Sequence, residues 1–259
     1  MKVVILCGGQ GTRLREETEL RPKPMVEIGG RPILWHIMKL YAHHGLTDFV
    51  LCLGYKGYII KDFFLNYEAR MKDFTVRLGA TPSVRFHNGH GEEGWSVTLA
   101  ETGDTAMTGA RVRRARRYLD GPFCLTYGDG VGNVDIGALL KFHRSHGHVA
   151  TVTAVRPPGR FGELQVEGRC VTSYTEKPQI TEGLINGGFF VFEREFADRY
   201  LNDRDDLILE KEPLSRVAAD GELMVWQHDG FWQPMDTYRE WKMLNDLWSK
   251  GEAPWKIWE

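Results

Sequence analysis

The sequence contains no apolar run near the ~20 residues that a membrane-spanning helix needs. It has no basic leader, because the first residues already have the composition of a strand, and this predicts that there is no signal peptide. The net charge is only −2, which argues against a broad basic surface for nucleic acid. We therefore expect a protein that binds neither a membrane nor a nucleic acid.

Cysteine is scarce, and its spacing excludes the common metal and redox motifs. Cys7, Cys52, Cys124 and Cys170 show no C-x-x-C spacing, and the first three lie in apolar runs. This pattern is typical of buried, reduced thiols and predicts a cytoplasmic protein. Thiols in the middle of strands are usually inert, so no activated nucleophile is evident.

Two nucleotide-binding motifs are missing or incomplete. A Walker loop needs a lysine at a place where this chain has none. The dinucleotide fingerprint begins at Gly9 and Gly11, but Leu14 stands where the third glycine belongs. No acid closes a second strand about 20 residues later, as the fingerprint requires. A nicotinamide-dependent oxidoreductase is disfavoured and stays an alternative, which NADH binding would test.

A glycine-rich loop follows the first predicted strand. Residues 3–7 are all apolar, which predicts a strand buried on both faces. Three glycines follow within four positions, and glycine lets a ligand lie directly on backbone N–H groups. Thr12 adds a hydroxyl, while Arg13 and Lys23 add positive charge. A strand that ends in such a loop is typical of a phosphate site, with an ordinary strand-to-helix turn as the alternative.

Strands and helices alternate along the rest of the chain. We predict helices at 32–44, 58–70, 136–145 and 238–250, buried strands at 49–53, 123–127 and 150–155, and shorter strands at 74–78 and 83–87. This alternation predicts an α/β fold with a parallel sheet and right-handed crossovers. Near the C-terminus, Trp255 and Trp258 predict that the tail packs on the body or on a neighbouring subunit.

Several polar residues are candidates for ligand contact. Asp129 lies between two glycines directly after strand 123–127, where open α/β sheets bind ligands. Arg111 lies at a junction of loop and helix, while the arginines that follow it are typical of a solvated helix face. Asp236 precedes the last helix and is also placed to cap it. His143, His146 and His148 are more typical of a helix C-terminus than of a zinc site.

These groups suit the transfer of a nucleotidyl group, in which the substrates supply both the attacking and the leaving group. A nucleoside triphosphate and a sugar phosphate together carry roughly six negative charges, which must be neutralised. Mg2+ is the oxygen-preferring ion for this task, held by one or two carboxylates and by phosphate oxygens.

The motifs resemble those of the sugar-phosphate nucleotidyltransferases. Segment 8–14 (GGQGTRL) with 22–24 (PKP) is similar to the family signature, and segments 128–130, 176–178, 186–188 and 236–237 stand in the family's order. Segments 24–30, 102–111 and 231–237 resemble those members that transfer a cytidylyl group. Many relatives have proline where this chain has Glu16, and we interpret that difference as a mark of the cytidylyl-transferring branch.

The resemblance implies an α/β fold with a Rossmann-like, mixed, mostly parallel sheet and helices on both faces. It implies one domain over residues 1–259, in which 1–135 mainly bind the nucleotide and 136–259 mainly bind the sugar phosphate. The implied reaction joins CTP and α-D-glucose 1-phosphate into CDP-glucose and pyrophosphate, with Mg2+ as cofactor. A homo-oligomer and a product that feeds deoxysugars of bacterial surface polysaccharide, such as the O-antigen of lipopolysaccharide, are also implied.

The resemblance also implies roles for individual residues. The nucleotide would be bound by Leu6, Gly8, Gly9, Gln10, Gly11, Thr12, Arg13, Lys23, Ala106, Arg111 and Gly128. The sugar phosphate would be bound by Gly162, Glu176, Lys177 and Asn186. Asp129 and Asp236 would hold the metal, and Arg13, Lys23 and Asp129 would be catalytic.

Two alternatives stay open at this point. The chain could be a non-catalytic sensor of sugar nucleotides, although a sensor would be free to lose Asp129 and Asp236. Within the enzyme class, uridylyl or thymidylyl transfer is also open, because one base-edge hydrogen bond is often worth only ~1–3 kcal/mol.

Overall fold

The structure is a computed structural model that describes residues 1–9, 11, 14–89, 91–157, 163–167, 170–175 and 183–259. The first half of the chain contains β1 (Lys2–Leu6), α1 (Arg15–Thr18), β2 (Glu27–Ile28), β3 (Arg31–Pro32), α2 (Ile33–His43), β4 (Asp48–Leu53), α3 (Gly57–Leu65), α4 (Tyr67–Met71), β5 (Phe74–Arg77), β6 (Ser83–Phe86), β7 (Ser96–Glu101), α5 (Thr108–Ala115), β8 (Phe123–Tyr127) and β9 (Gly130–Gly132). The second half contains α6 (Ile136–His146), β10 (Ala150–Val155), β11 (Glu163–Glu167), β12 (Cys170–Thr175), β13 (Ile185–Phe192), α7 (Arg194–Arg199), α8 (Glu212–Ala219), β14 (Leu223–His228), β15 (Trp232–Pro234) and α9 (Tyr238–Ser249).

The central sheet has seven strands in the order β14-β10-β13-β8-β1-β4-β7. Only β13 runs antiparallel to its neighbours, β10 and β8, and the other pairs are parallel. The prediction of a mixed, mostly parallel sheet is therefore confirmed. From β1 the chain continues to β4 and β7 on one side, and it then returns to β8 on the other side of β1. The strand order therefore changes direction next to β1, which is the arrangement that creates a ligand crevice in α/β folds.

Two apolar cores cover the two faces of the sheet. Alternate residues of β1 belong to different cores, because successive strand side chains point to opposite faces. One core contains Ile5 with apolar residues of α2, α3, α6 and α9, and the other contains Leu6 with residues of α5, α7 and α8. Helices thus lie on both faces, as the alternation of strands and helices predicts.

One of the predicted helices is divided in the structure. The predicted helix 58–70 is two helices, α3 and α4, which meet at Asn66. The Asn66 side-chain amide donates a hydrogen bond to the carbonyl oxygen of Asp62 at 2.9 Å. Such a side chain offers the backbone an alternative to the helical pattern, and this accounts for the break.

The two edge strands of the sheet, β7 and β14, were not predicted. Each carries side chains that are partly or fully exposed on both faces. An edge strand buries less surface than a central strand, so its sequence lacks the continuous apolar run that marks β1 and β8. None of the described helices is both long enough and apolar enough to span a bilayer.

Candidate active site

A pocket of about 550 Å³ opens where β1 and β8 end side by side. Its walls come from the glycine loop after β1, from the turn after β8 and from the loop that precedes α5. It is lined by Leu6, Gly8, Gly9, Gly11, Lys23, Pro24, Asp104, Thr105, Ala106, Met107, Thr108, Arg111, Tyr127, Gly128 and Asp129. Residues that are up to 123 positions apart in sequence therefore share one cavity.

Arg111 lines this pocket, and only 4% of it is exposed. Its guanidinium lies against Gly8 and Gly54. A Cβ at Gly8 would be 2.1 Å from Cζ of Arg111, and a Cβ at Gly54 would be 2.4 Å from Nη1. The absence of a side chain at both positions is thus required by the arginine that packs between them.

The Arg111 guanidinium also connects three chain segments through hydrogen bonds. Nη1 donates to the carbonyl oxygens of Leu53 and Gly103, both at 2.7 Å, and Nη2 donates to the carbonyl oxygen of Gly8 at 3.1 Å. Burial lowers the pKa of Arg111 from its usual value. The prediction that Arg111 contacts the cytidine stays a prediction, and the structure adds that it holds the pocket walls together.

Lys23 points its ammonium at two carboxylates on the pocket rim. Nζ lies 2.7 Å from Oδ2 of Asp129 and 2.5 Å from Oδ1 of Asp236. The lysine side chain is only 9% exposed, against 34% for Asp129 and 13% for Asp236. Burial acts to lower the pKa of Lys23, but the two carboxylates act against it, and the net pKa is raised. The ammonium therefore stays charged at neutral pH.

A short antiparallel ladder brings the two aspartates together. Strand β9 follows Asp129 and pairs with β15, which ends just before Met235 and Asp236. The Met235 N–H donates to the carbonyl oxygen of Asp129 at 2.8 Å, which extends the ladder by one step. The side chain of Thr237, rather than that of Asp236, caps α9 in a capping box with Glu240. The Asp236 carboxylate is thus turned to Lys23 instead of to the helix.

Three cysteines have side chains that the structure describes, and none of the three lines this pocket. Cys7, Cys52 and Cys124 are free and buried. Burial raises the pKa of the Cys52 and Cys124 thiols to about 12, and raises that of Cys7 as well. Since the thiolate is the reactive form, these groups are not nucleophiles at neutral pH.

The sequence matches the model of the nucleotidyl transferase family over residues 2–233. It is 53% identical over 261 residues to the Salmonella typhi protein named glucose-1-phosphate cytidylyltransferase, with 100% of both chains covered. The chain belongs to the nucleotidyl transferase family. It is also 31% identical over 247 residues to the mannose-1-phosphate guanylyltransferase catalytic subunit beta of Dictyostelium discoideum, covering 91% of this chain and 62% of the relative.

The crystal structure of HddC from Yersinia pseudotuberculosis has the same fold as this nucleotidyltransferase. The two match with a TM-score of 0.69 at 22% identity, over 95% of this chain and 99% of HddC. At this level of identity the likeness concerns the fold alone.

The structure brings together most of the predicted nucleotide-binding residues of this nucleotidyltransferase. Those that line the pocket are Leu6, Gly8, Gly9, Gly11, Lys23, Ala106, Arg111 and Gly128, and the predicted metal ligand Asp129 lines it with them. Asp236 joins them through Lys23, and Asn186 lies next to the wall residue Tyr127. Six predicted residues lie outside the described part of the chain, namely Gln10, Thr12, Arg13, Gly162, Glu176 and Lys177.

The donor set at the rim fits the divalent metal that nucleotidyltransferases of this family typically use. Asp129 and Asp236 present carboxylate oxygens that already converge on one cationic atom. Among the described residues no third acid, histidine or cysteine joins them in a metal-sized cluster. One or two carboxylates are what Mg2+ usually takes from a protein when phosphate oxygens supply further ligands.

Glu210 is a candidate residue that sequence reasoning missed. One carboxylate oxygen accepts a hydrogen bond from the hydroxyl of Thr108 at 2.7 Å, and the other accepts from the hydroxyl of Tyr127. The Tyr127 hydroxyl in turn accepts from Nδ2 of Asn186 at 3.3 Å. Glu210 thus connects two pocket walls with Asn186, a residue that is predicted to bind the sugar phosphate. No local pattern marks it, because its two hydrogen-bond partners are 83 and 102 residues away.

The histidine cluster forms a hydrogen-bond network and, within the residues that the structure describes, no metal-sized site. The His148 N–H donates to Nδ1 of His146 at 2.9 Å, which leaves the proton of His146 on Nε2. Nε2 then donates to Oγ1 of Thr151 at 2.7 Å, and the threonine hydroxyl donates to Nδ1 of His143 at 2.8 Å. The interpretation of these residues as structural, rather than as zinc ligands, stays a prediction, and these hydrogen bonds give ring nitrogens of His143 and His146 protein partners.

Three of the four arginines after Arg111 form ion pairs and are not simply solvated. Arg113 contacts Asp203 at 3.0 Å, while Arg114 and Arg116 contact Asp205 and Asp198. These contacts join α5 and the turn after it to α7 and to the segment that follows α7.

Proposed function

We propose that this nucleotidyltransferase transfers a cytidylyl group from CTP to α-D-glucose 1-phosphate, forming CDP-glucose and releasing pyrophosphate. The observation that carries the proposal is the convergence of Lys23, Asp129 and Asp236 on the rim of a nucleotide-sized pocket. The choice of CTP is supported by the 53% identity to a relative named for cytidylyl transfer, against 31% for one named for guanylyl transfer.

The proposed mechanism is direct in-line attack by the sugar phosphate oxygen on the α-phosphorus of CTP, without a covalent enzyme intermediate. Catalysis is then positioning and neutralisation of charge. Lys23 and Arg13 would neutralise the triphosphate and the departing pyrophosphate. The pocket wall at Ala106 and Arg111 would receive the cytidine, and Asn186, with Gly162, Glu176 and Lys177, the glucose 1-phosphate.

Asp129 and Asp236 are the proposed ligands of Mg2+. When bound, the ion would offset the negative charge of the phosphates that meet in the site. The other phosphate contacts are assigned to the backbone of the glycine loop, where Gly8, Gly9 and Gly11 border the pocket.

A pyrophosphate-release assay tests the reaction and the base. The protein is incubated with glucose 1-phosphate, Mg2+ and each of CTP, UTP, dTTP and GTP in turn. We expect the highest kcat/KM with CTP. Release from none of the four would favour the sensor alternative, and faster release from UTP or dTTP would reassign the base.

Lys23→Ala tests the electrostatic role of the lysine. We expect kcat to fall by about 100-fold or more, since a fixed positive charge next to the reacting phosphates is lost. Lys141→Ala is the matched control, because Lys141 is exposed on α6. Near-normal turnover of Lys23→Ala would remove this residue from the mechanism.

Asp129→Asn and Asp236→Asn test the metal site. Each change removes one negative ligand, so we expect the Mg2+ titration of activity to lose its saturable dependence. Asp246→Asn, an exposed change on α9, serves as the control. A titration in either variant that matches wild type would exclude that aspartate as a ligand.

The compartment, the subunit arrangement and the domain organisation are further parts of the proposal. Three free, buried thiols fit the reducing cytoplasm. The two-stranded sheet of β5 and β6 exposes Phe74, Val76, Val84 and Phe86, each by 41–55%, and such an exposed apolar surface favours a homo-oligomer. Light scattering would measure the size of the oligomer.

The proposed domain organisation is a single domain with one half that mainly binds the nucleotide and one half that mainly binds the sugar phosphate. It fits the central sheet, which takes strands from both halves of the chain.

A further inference from the structure

One ammonium group holds both carboxylates of the proposed metal site. Nζ of Lys23 is 2.7 Å from an oxygen of Asp129 and 2.5 Å from an oxygen of Asp236. The two oxygens are therefore no farther apart than the sum of these distances. Two carboxylates this close repel each other unless a cation lies between them, and here the cation is a side chain of the same protein.

A divalent ion and this ammonium compete for the same pair of carboxylates. Each carboxylate also has a second oxygen, but an ion that bridges Asp129 and Asp236 would still lie next to Nζ, which contacts one oxygen of each. Lysine carries a compact point charge, and a second cation beside it would be repelled in a site where the lysine is only 9% exposed. Occupation by the metal therefore requires that Nζ leaves the carboxylate pair.

The pocket offers Lys23 another anionic partner once a nucleotide is bound. Lys23 lines the same cavity as Gly8, Gly9 and Gly11, the loop to which the triphosphate is assigned. Its backbone is held in a single 3-10 turn, where the N–H of Val26 donates to the carbonyl oxygen of Lys23 at 3.0 Å. The four-carbon side chain can rotate above this fixed backbone, so the ammonium can move to phosphate without unfolding of the loop.

We propose that Lys23 is a resident counter-ion of the Asp129–Asp236 pair and that it gives up this position to a divalent metal when a triphosphate takes over its ammonium. The inference rests on the proposed function in so far as the triphosphate binds in this pocket. Metal affinity is then coupled to nucleotide binding through one side chain, and the protein without nucleotide discriminates against the metal.

Mn2+ binding to the whole protein, measured by electron paramagnetic resonance, tests the coupling without turnover. The samples are wild type, Lys23→Met and the control Lys141→Met, each with and without a CTP analogue whose α,β-bridging oxygen is replaced by CH2. For wild type we expect the analogue to raise the Mn2+ affinity by about 10-fold or more. For Lys23→Met without nucleotide we expect an affinity about 10-fold or more above that of wild type, because the competing ammonium is absent.

Thermal unfolding supplies a second, independent measurement. Without metal, Lys23→Met leaves two carboxylates close together with no lysine between them, so it should melt below wild type. Mn2+ should raise its melting temperature more than that of wild type, and the additional change Asp129→Asn should abolish this gain. If Lys23→Met does not fold, Lys23→Gln replaces it in both measurements.

Equal or weaker Mn2+ affinity of the neutral variant without nucleotide would overturn the inference, as would a wild-type affinity that the analogue leaves unchanged. Neither result depends on catalysis. Failure of the proposed function would instead appear as wild type that releases no pyrophosphate from CTP, so the two failures are distinguishable.

Discussion

Acidification should destabilise this protein through His36, a histidine of α2 that is 1% exposed. Trp255 Nε1 can only donate, and it lies 3.3 Å from Nδ1 of His36, so Nδ1 accepts. Nε2 therefore carries the proton and donates to the carbonyl oxygen of Ile28 at 2.9 Å. A second proton on the ring would face an N–H group in a buried site, surrounded by the rings of Trp248 and Trp258.

The size of the effect follows from the pKa of this ring. Burial lowers the pKa of His36 from 6.5 to about 4. Below pH 6.5 the unfolded chain takes up a proton that the folded protein does not, so the stability is full above that pH and is lost as the pH falls towards about 4. The shift corresponds to a loss of about 3 kcal/mol.

Urea unfolding at a series of pH values between 7.5 and 4, followed by tryptophan fluorescence, measures this loss. His36→Gln keeps a side-chain N–H for the Ile28 carbonyl but does not titrate. We expect it to be less stable than wild type at pH 7.5, and to lose about 3 kcal/mol less on acidification. His43→Gln, an exposed change on the same helix, should follow wild type. Parallel curves for wild type and His36→Gln would refute the reasoning.

Three further substitutions test the pocket walls and the packing of α9. Glu210→Ala should lower kcat/KM by about 10-fold, because Tyr127 and Thr108 lose their common hydrogen-bond acceptor. Pyrophosphate release measures this change, with Glu212→Ala as the control, and equal rates in the two variants would contradict the prediction. Arg111→Lys should raise the KM for CTP and cost about 2 kcal/mol of stability, because one ammonium cannot satisfy the carbonyls that the guanidinium joins; an unchanged KM would argue against its role in shaping the pocket. Gly29→Ala should lower the free energy of unfolding, measured with urea, by about 2 kcal/mol or more, because Gly29 has φ +59° and the new Cβ would be 1.9 Å from Cδ1 of Trp248. Gly251→Ala is the control: Gly251 has a similar positive φ but its Cβ would meet nothing, so it shows the cost of the backbone conformation without that of the clash.

Patterns within short segments determined the elements at the centre of the sheet and the positions of the glycine loop and of Asp129. A strand buried on both faces is a continuous apolar run, so the predicted strands at 123–127 and 150–155 coincide with β8 and β10. The carboxyl end of such a strand is a general location for ligands, and this placed Asp129 without knowledge of its neighbours. The family also followed from the sequence, because its motifs are contiguous.

Only the tertiary structure decided which charges meet. Lys23 reaches aspartates that are 106 and 213 positions away. Arg111 packs between glycines that follow two different strands, and Glu210 joins the start of α5 to the end of β8. These contacts depend on which strands are neighbours in the sheet and on the ladder of three residue pairs between β9 and β15. Local sequence preferences carry no information on these contacts. A lysine or a glutamate is just as common at an exposed position on a loop, so the residue type alone does not predict a charged partner.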